Sequence, residues 1–124
     1  MKKRIVISIN PQHVKNILSG IKKYEYRKIA AKQDISSIII YETSPIKRVV
    51  AEAEIVEVLM MSPEELWQQT KDSSGITKQF FDKYFAGREV AYAYKLGEIN
   101  VYEQPKSLLD YGIKVAPQSF IYIG

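Results

Sequence analysis

Between Lys47 and Met61 the chain alternates with a period of two for longer than any helix pattern tolerates. Val49, Ala51, Ala53 and Ile55 share one face, and Val50, Glu52, Glu54 and Val56 the other. A long strand commits the fold to a sheet. The pattern slips after Ile55, where Val56, Val58 and Met60 oppose Glu57, and the slip reads as a bulge or bend.

The rest of the chain supplies shorter partners for that strand. Arg4–Ile9 reads as a first strand. Asn10-Pro11 starts a helix with the apolar stripe Val14, Ile17 and Leu18, and Gly20 stops it. Lys22–Lys28 and Ser36–Thr43 read as second and third strands, joined by a polar connection over 29–34. Ile38-Ile39-Ile40-Tyr41 predicts burial on both faces.

Ser62-Pro63-Glu64-Glu65 is a capping box that opens a helix burying Leu66 and Trp67. After the Asp72–Gly75 loop, Thr77 caps a helix carrying Phe80, Phe81, Tyr84 and Phe85, and Gly87 ends it. The aromatic set reads as core. Arg88–Lys95 and Glu98–Glu103 form one strand broken at Gly97, or a hairpin, ended by Pro105. Ser107–Gly112 reads as one helical turn and Ser119–Ile123 as a last strand. The expected fold is α+β, mainly β: one domain over 1–124, a small β-barrel of five to seven strands with a helical insertion at about 62–87.

With 124 residues, of which 46% are hydrophobic, the chain is long enough for a real core. It lacks cysteine and has one histidine, so disulfides, thiol catalysis and zinc-thiolate or His-rich metal sites are excluded. No metal or cofactor is expected. No run of 18 apolar residues and no signal-peptide pattern occurs, which points to a cytoplasmic protein without a membrane partner. The net charge of +4 is uneven: residues 1–48 carry a balance of +8 and residues 49–124 one of −4. A basic half suits an anionic partner, most often nucleic acid. The competing reading scatters these charges over all sides of the fold.

One segment concentrates chemistry. After Gly20, alternation places Lys23, Glu25 and Arg27 on one strand face and Tyr24 and Tyr26 on the other. Donors and an acceptor at such spacing suit a polar or phosphorylated ligand; they also suit a plain solvated strand face or a cross-strand ion-pair ladder. Alternation sets Lys22 on the tyrosine side unless the strand begins at Lys23. Thr43 and Ser44 stand at a strand end before Pro45, where hydroxyls serve either a ligand or the turn. Lys47 and Arg48 follow as phosphate contacts. Of the nine tyrosines, Tyr41 leads into the Thr43-Ser44 turn and is the one best placed to stack on a base. His13 reads as a surface histidine.

The helix running into Gly20, Lys22, Glu25 and Arg27, in the pattern Gly-x-Lys-x-x-Glu-x-Arg, resembles the signature of ASCH domains of the PUA-like superfamily. The likeness extends through Tyr41–Lys47, the Ser62–Trp67 helix and Pro117-Gln118-Ser119-Phe120. It implies a PUA-like barrel with the first helix at one opening and a cleft lined by the motif strand. It also implies RNA or nucleotide binding, in translation or transcription settings, and adds Gln118 and Ser119 to the ligand contacts. One related branch hydrolyses 4-acetylcytidine with a lysine and a threonine of this strand. Lys22 matches that lysine, and Glu25 occupies the threonine's place, where a carboxylate does not serve as a hydroxyl nucleophile.

Three functions follow. The first is an RNA- or nucleotide-binding module holding its ligand with Lys22, Lys23, Glu25, Arg27, Tyr41, Thr43, Ser44, Lys47, Gln118 and Ser119. The second is a hydrolase of a modified nucleoside with Lys22 and Glu25 as acid/base candidates. The third is a transcriptional regulator or protein-interaction domain. A DNA-reading role for the helices at 63–86 is disfavoured by their mixed charge.

Overall fold

The computed structural model describes residues 2–32 and 34–123. Six strands form one sheet in the order β2-β5-β4-β3-β1-β6, curled into a half-barrel. The strands are β1 (Lys3–Ile9), β2 (Tyr24–Arg27), β3 (Ile35–Glu42), β4 (Arg48–Met61), β5 (Ala91–Lys106) and β6 (Phe120–Ile123). The helices are α1 (Pro11–Leu18), α2 (Pro63–Thr70) and α3 (Lys78–Tyr84), with 3-10 turns at Lys71–Ser73 and Leu108–Tyr111. Among the described residues only the β1–β3 pair runs parallel. Their connection is long enough to carry α1 and β2, as a parallel crossover requires.

Three buried clusters follow from the alternation. The concave face collects Ile5, Ile7 and Ile9 of β1, Ile38 and Ile40 of β3, Ala51 and Ala53 of β4, and Tyr94 and Leu96 of β5, all under Val14 and Ile17 of α1. Phe120 and Tyr122 of β6 pack on the same cluster as β5, although four places separate those strands in the sheet; that contact is the curl. On the other face Val6, Ile39, Tyr41 and Val49 bury against Ile113. At the β2–β5 end Tyr26, Ala91 and Ala93 bury against Leu66 of α2 and Phe81 and Phe85 of α3. The Ile38–Tyr41 run is buried throughout. Each fully buried isoleucine contributes about 1.5–3 kcal/mol, so β1 and β3 form the most heavily stabilised part of the sheet.

Several elements differ from the sequence expectation. Residues 88–103 are neither a hairpin nor a strand ended by Pro105: β5 runs unbroken from Ala91 to Lys106. Pro105 is tolerated because the β4–β5 register slips between Val49 and Ala51, so its missing donor falls outside the regular ladder. The expected bulge in β4 is present, with shifts on both sides of Ile55 opposite Leu96. β2 begins at Tyr24 rather than Lys22, since the Lys22 amide donates to the Asn16 carbonyl of α1 and leaves the ladder. Both insertion helices are capped as read, Ser62 accepting from the Glu65 amide and Thr77 from the Phe80 amide.

Candidate functional site

The segment between α1 and β2 is pinned from three sides. The Lys22 amide donates to Asn16, the Lys23 amide to the Ser73 carbonyl, and the Lys23 carbonyl accepts from Leu96. Gly75, at φ +67°, lies so close behind Lys22 that a Cβ there would collide with the Lys22 Cα and Cβ. This packing turns the Lys22 side chain inward. The residue is only 3% exposed. Its Nζ donates to the Ser74 carbonyl at 3.2 Å, stands 4.7 Å from the centre of the Tyr26 ring, and lies 4.0 Å from Glu25 Oε1. Lys22 therefore reaches both faces, touching the tyrosine and the carboxylate that alternation sets apart.

Glu25 is 5% exposed. It lies opposite the fully buried Tyr94 in the β2–β5 pair, above the concave core. Arg27 donates to Glu25 Oε2 from Nε at 3.0 Å, with Nη2 at 2.8 Å from the same oxygen, and Nη2 also donates to the Ser8 carbonyl at 2.7 Å. These bonds use Nε and Nη2 and do not engage Nη1. They also leave Glu25 Oε1 with Lys22 at 4.0 Å as its described polar neighbour. A carboxylate accepts up to four hydrogen bonds, so Oε1 retains capacity for a donor on a ligand. Burial lowers the Lys22 pKa from 10.5 while Glu25 opposes the shift. Burial pushes the Tyr26 phenol up to about 12, and its hydroxyl donates to Thr70 Oγ1 at 2.7 Å, so the ring stays a neutral platform beneath Lys22.

These groups floor a cavity of about 500 Å³ at the open side of the half-barrel. Its walls come from Ser8 to Asn10 at the end of β1, His13 of α1, Thr43 after β3, Ile76, Phe80 and Tyr84 around α3, and Ala116 to Gln118 before β6. The volume falls within the ~300–1,000 Å³ range of small-molecule sites. His13 has a buried Nδ1 without a hydrogen-bond partner among the described residues and meets Phe80 edge-on at 5.3 Å. Burial, then the nearby Lys22 and Arg27 charges, lower its pKa from 6.5 against the opposing pull of Glu25.

Of the residues named from sequence, Lys22, Glu25, Arg27, Thr43 and Gln118 meet on this cavity. Lys23, Ser44 and Lys47 are exposed and do not line it. Tyr41 is 7% exposed and sits in the cluster on the opposite sheet face, packed with Val6, Ile39 and Val49. Ser119 precedes β6 beside the lining residue Gln118. The basic half does not gather here as a whole. Lys3 and Arg4 stand at the other end of β1, where Arg4 pairs with Glu52 at 3.4 Å.

His13, read from sequence as a surface histidine, and Phe80 and Tyr84, read as core, all line the cavity. The α3 aromatics form two pairs at i, i+4 spacing, offset by one position. Phe81 and Phe85 are core, whereas Phe80 is 47% exposed and lines the cavity with Tyr84. An aromatic stripe too wide for one core face was the available signal.

Among the described residues no helix is long and apolar enough to cross a membrane. Residues 8–122 match the model of the family described as Domain of unknown function (DUF365). Over 123 residues the chain is 25% identical to an ATP synthase subunit alpha of Ureaplasma parvum, covering 98% of this chain and 15% of that protein. Over 96 residues it is 32% identical to an ASCH domain-containing ribonuclease of Zymomonas mobilis, covering 77% of this chain and 65% of that one. The chain thus spans less than two thirds of the length of these curated relatives. The crystal structure of ASCH from Zymomonas mobilis superimposes with a TM-score of 0.89 at 28% identity, covering 98% of this chain and 88% of that one. Fold, motif strand and family match agree: the chain belongs to the DUF365 family and is an ASCH-domain protein of the PUA-like superfamily.

Proposed function

We propose that this chain is an RNA-binding module that holds a nucleotide in the cavity floored by Lys22, Glu25 and Arg27. The observation that carries this reading is the fixed polar array itself. Two cations and one carboxylate are held at the base of a nucleotide-sized cavity, with Glu25 Oε2 bonded to Arg27 and Oε1 turned to Lys22. Oε1 is suited to accept from the exocyclic amine of a base, while Lys22 and the spare Arg27 donors suit phosphate or carbonyl oxygens. Phe80 and Tyr84, with ring planes 8° apart, offer an aromatic wall for a base. The ribonuclease name of the Zymomonas relative supports RNA as the polymer. Thr43 and Gln118 are assigned to the wall, and Lys23, Ser44, Lys47 and Ser119 to the approaches around it, while Tyr41 stays in the core of the other sheet face.

A second reading, hydrolysis of a modified nucleoside, draws on one observation. A lysine buried to 3% exposure, with its pKa lowered by that burial, gives up its proton more readily than an exposed amine, as an acid/base group must. Glu25 would then orient Lys22.

The test is fluorescence anisotropy of a labelled single-stranded RNA at rising salt. Affinity should fall steeply with salt as counterions are released. Arg27→Ala should weaken binding by about 1.5–3 kcal/mol, the worth of a hydrogen bond to a charged group, whereas Lys106→Ala should have little effect. Equal losses would indicate attraction to net charge alone. Turnover of an acylated nucleoside, abolished by Lys22→Met, would select the second reading.

A further inference from the structure

A second cavity of about 490 Å³ adjoins the first. The two share Asn10, His13, Ile76 and Phe80, so the His13–Phe80 pair forms a ridge between them. We propose that the two cavities together hold two consecutive nucleotides of a single-stranded RNA, with the linking phosphodiester crossing the His13–Phe80 ridge. This inference rests on the RNA reading of the first cavity and extends it.

The walls of the second cavity fit a nucleoside. Ile21 is 61% exposed and Phe80 47% exposed, so two large apolar side chains stand open to solvent at one pocket, where a base can cover them. Gln12 and Thr77 supply an amide and a hydroxyl for base edges or a 2′-hydroxyl. Lys71 is exposed and supplies a cation, while the neighbouring Asp72 disfavours a phosphate on its own side. The phosphate is thereby directed to the ridge. Two features there favour an anion. Lys22 and Arg27 already act on His13 through space, and the Asn10 side chain makes no capping bond at the start of α1, leaving the first-turn amides open. An anion on the ridge would also offset the burial and the cationic charges that lower the His13 pKa.

The experiment compares a ribonucleoside 5′-monophosphate, a dinucleotide and a tetranucleotide by calorimetry with the full chain. The dinucleotide should bind at least about tenfold more tightly than the mononucleotide, and the tetranucleotide should add little more. Gln12→Trp fills the second cavity from an exposed position that does not line the first. It should erase the dinucleotide gain and leave mononucleotide binding within about twofold. Phe80→Ala should shrink the same gain while retaining the Phe81–Phe85 core. Equal affinity for the mononucleotide and dinucleotide, or a gain that survives Gln12→Trp, would overturn the two-nucleotide site and leave the first cavity's function standing. If none of the three binds at low salt, both readings fall.

Discussion

Arg27 donates to the carbonyl of Ser8 at 2.7 Å across a gap that no main-chain ladder closes. Arg27 ends the edge strand β2, whereas Ser8 lies on β1, beside the opposite edge. A single guanidinium therefore ties the two sides of the curled sheet while its Nε and Nη2 hold Glu25. The same fork thus serves the site and, beside the packing of Phe120 and Tyr122, the curl of the half-barrel. Arg27→Lys keeps the charge and loses the planar geometry. It should lower stability by about 1.5–3 kcal/mol, the value of a charge-assisted bond, and speed amide exchange in β2 more than in β3. Unchanged exchange in β2 would show that the curl holds without the bridge.

Glu25 counters the buried Lys22 and the half-buried Arg27. Removing one partner of such a pair leaves uncompensated charge and costs about 3–5 kcal/mol. Glu25→Gln should destabilise the protein in that range by urea denaturation and push the Lys22 pKa further down, because the Glu25 attraction is the influence that opposes its burial. Loss below about 1 kcal/mol would mean the carboxylate is better solvated than its 5% exposure implies.

The lowered His13 pKa gives stability a pH dependence of fixed sign. Between its value in the fold and 6.5, the unfolded chain binds more protons than the native one. Stability therefore rises with pH through that window and is lost as pH falls through it. Denaturation curves between about pH 5 and 8 should show this slope in the parent protein and a flatter profile in His13→Gln. Identical slopes would remove the His13 ring from the half-buried wall of the cavity.

Gly75 should tolerate no side chain. Its φ of +67° and its contact with Lys22 both oppose a Cβ. Gly75→Ala should cost about 1–3 kcal/mol and displace Lys22, weakening RNA binding more than the stability change alone accounts for. A neutral Gly75→Ala would contradict the packing that turns Lys22 inward.

Much of the fold could be read from local pattern because its elements carry local signals. The Ser62 and Thr77 caps, the β4 slip at Ile55 and the buried Ile38–Tyr41 run each rest on residues close in sequence. The continuity of β5 was not legible, since Pro105 is excused only by a register slip against β4. For the site, strand alternation brought out Glu25 and Arg27, but the place of Lys22 depends on contacts to Asn16, Ser74 and Gly75, the latter two more than fifty positions away. Tyr41 shows the converse. Its neighbours in sequence suggested a ligand wall, while pairing with Val49 sets it in the core of the other face.

The central claim is that RNA enters the cavity floored by Lys22, Glu25 and Arg27, and amide chemical-shift mapping tests it most directly. A short single-stranded RNA titrated at low salt should perturb Lys22 to Arg27, His13, Thr43 and Gln118 first and most. Shifts confined to the exposed outer strand face around Val56, Val58 and Met60, or none at all, would contradict it.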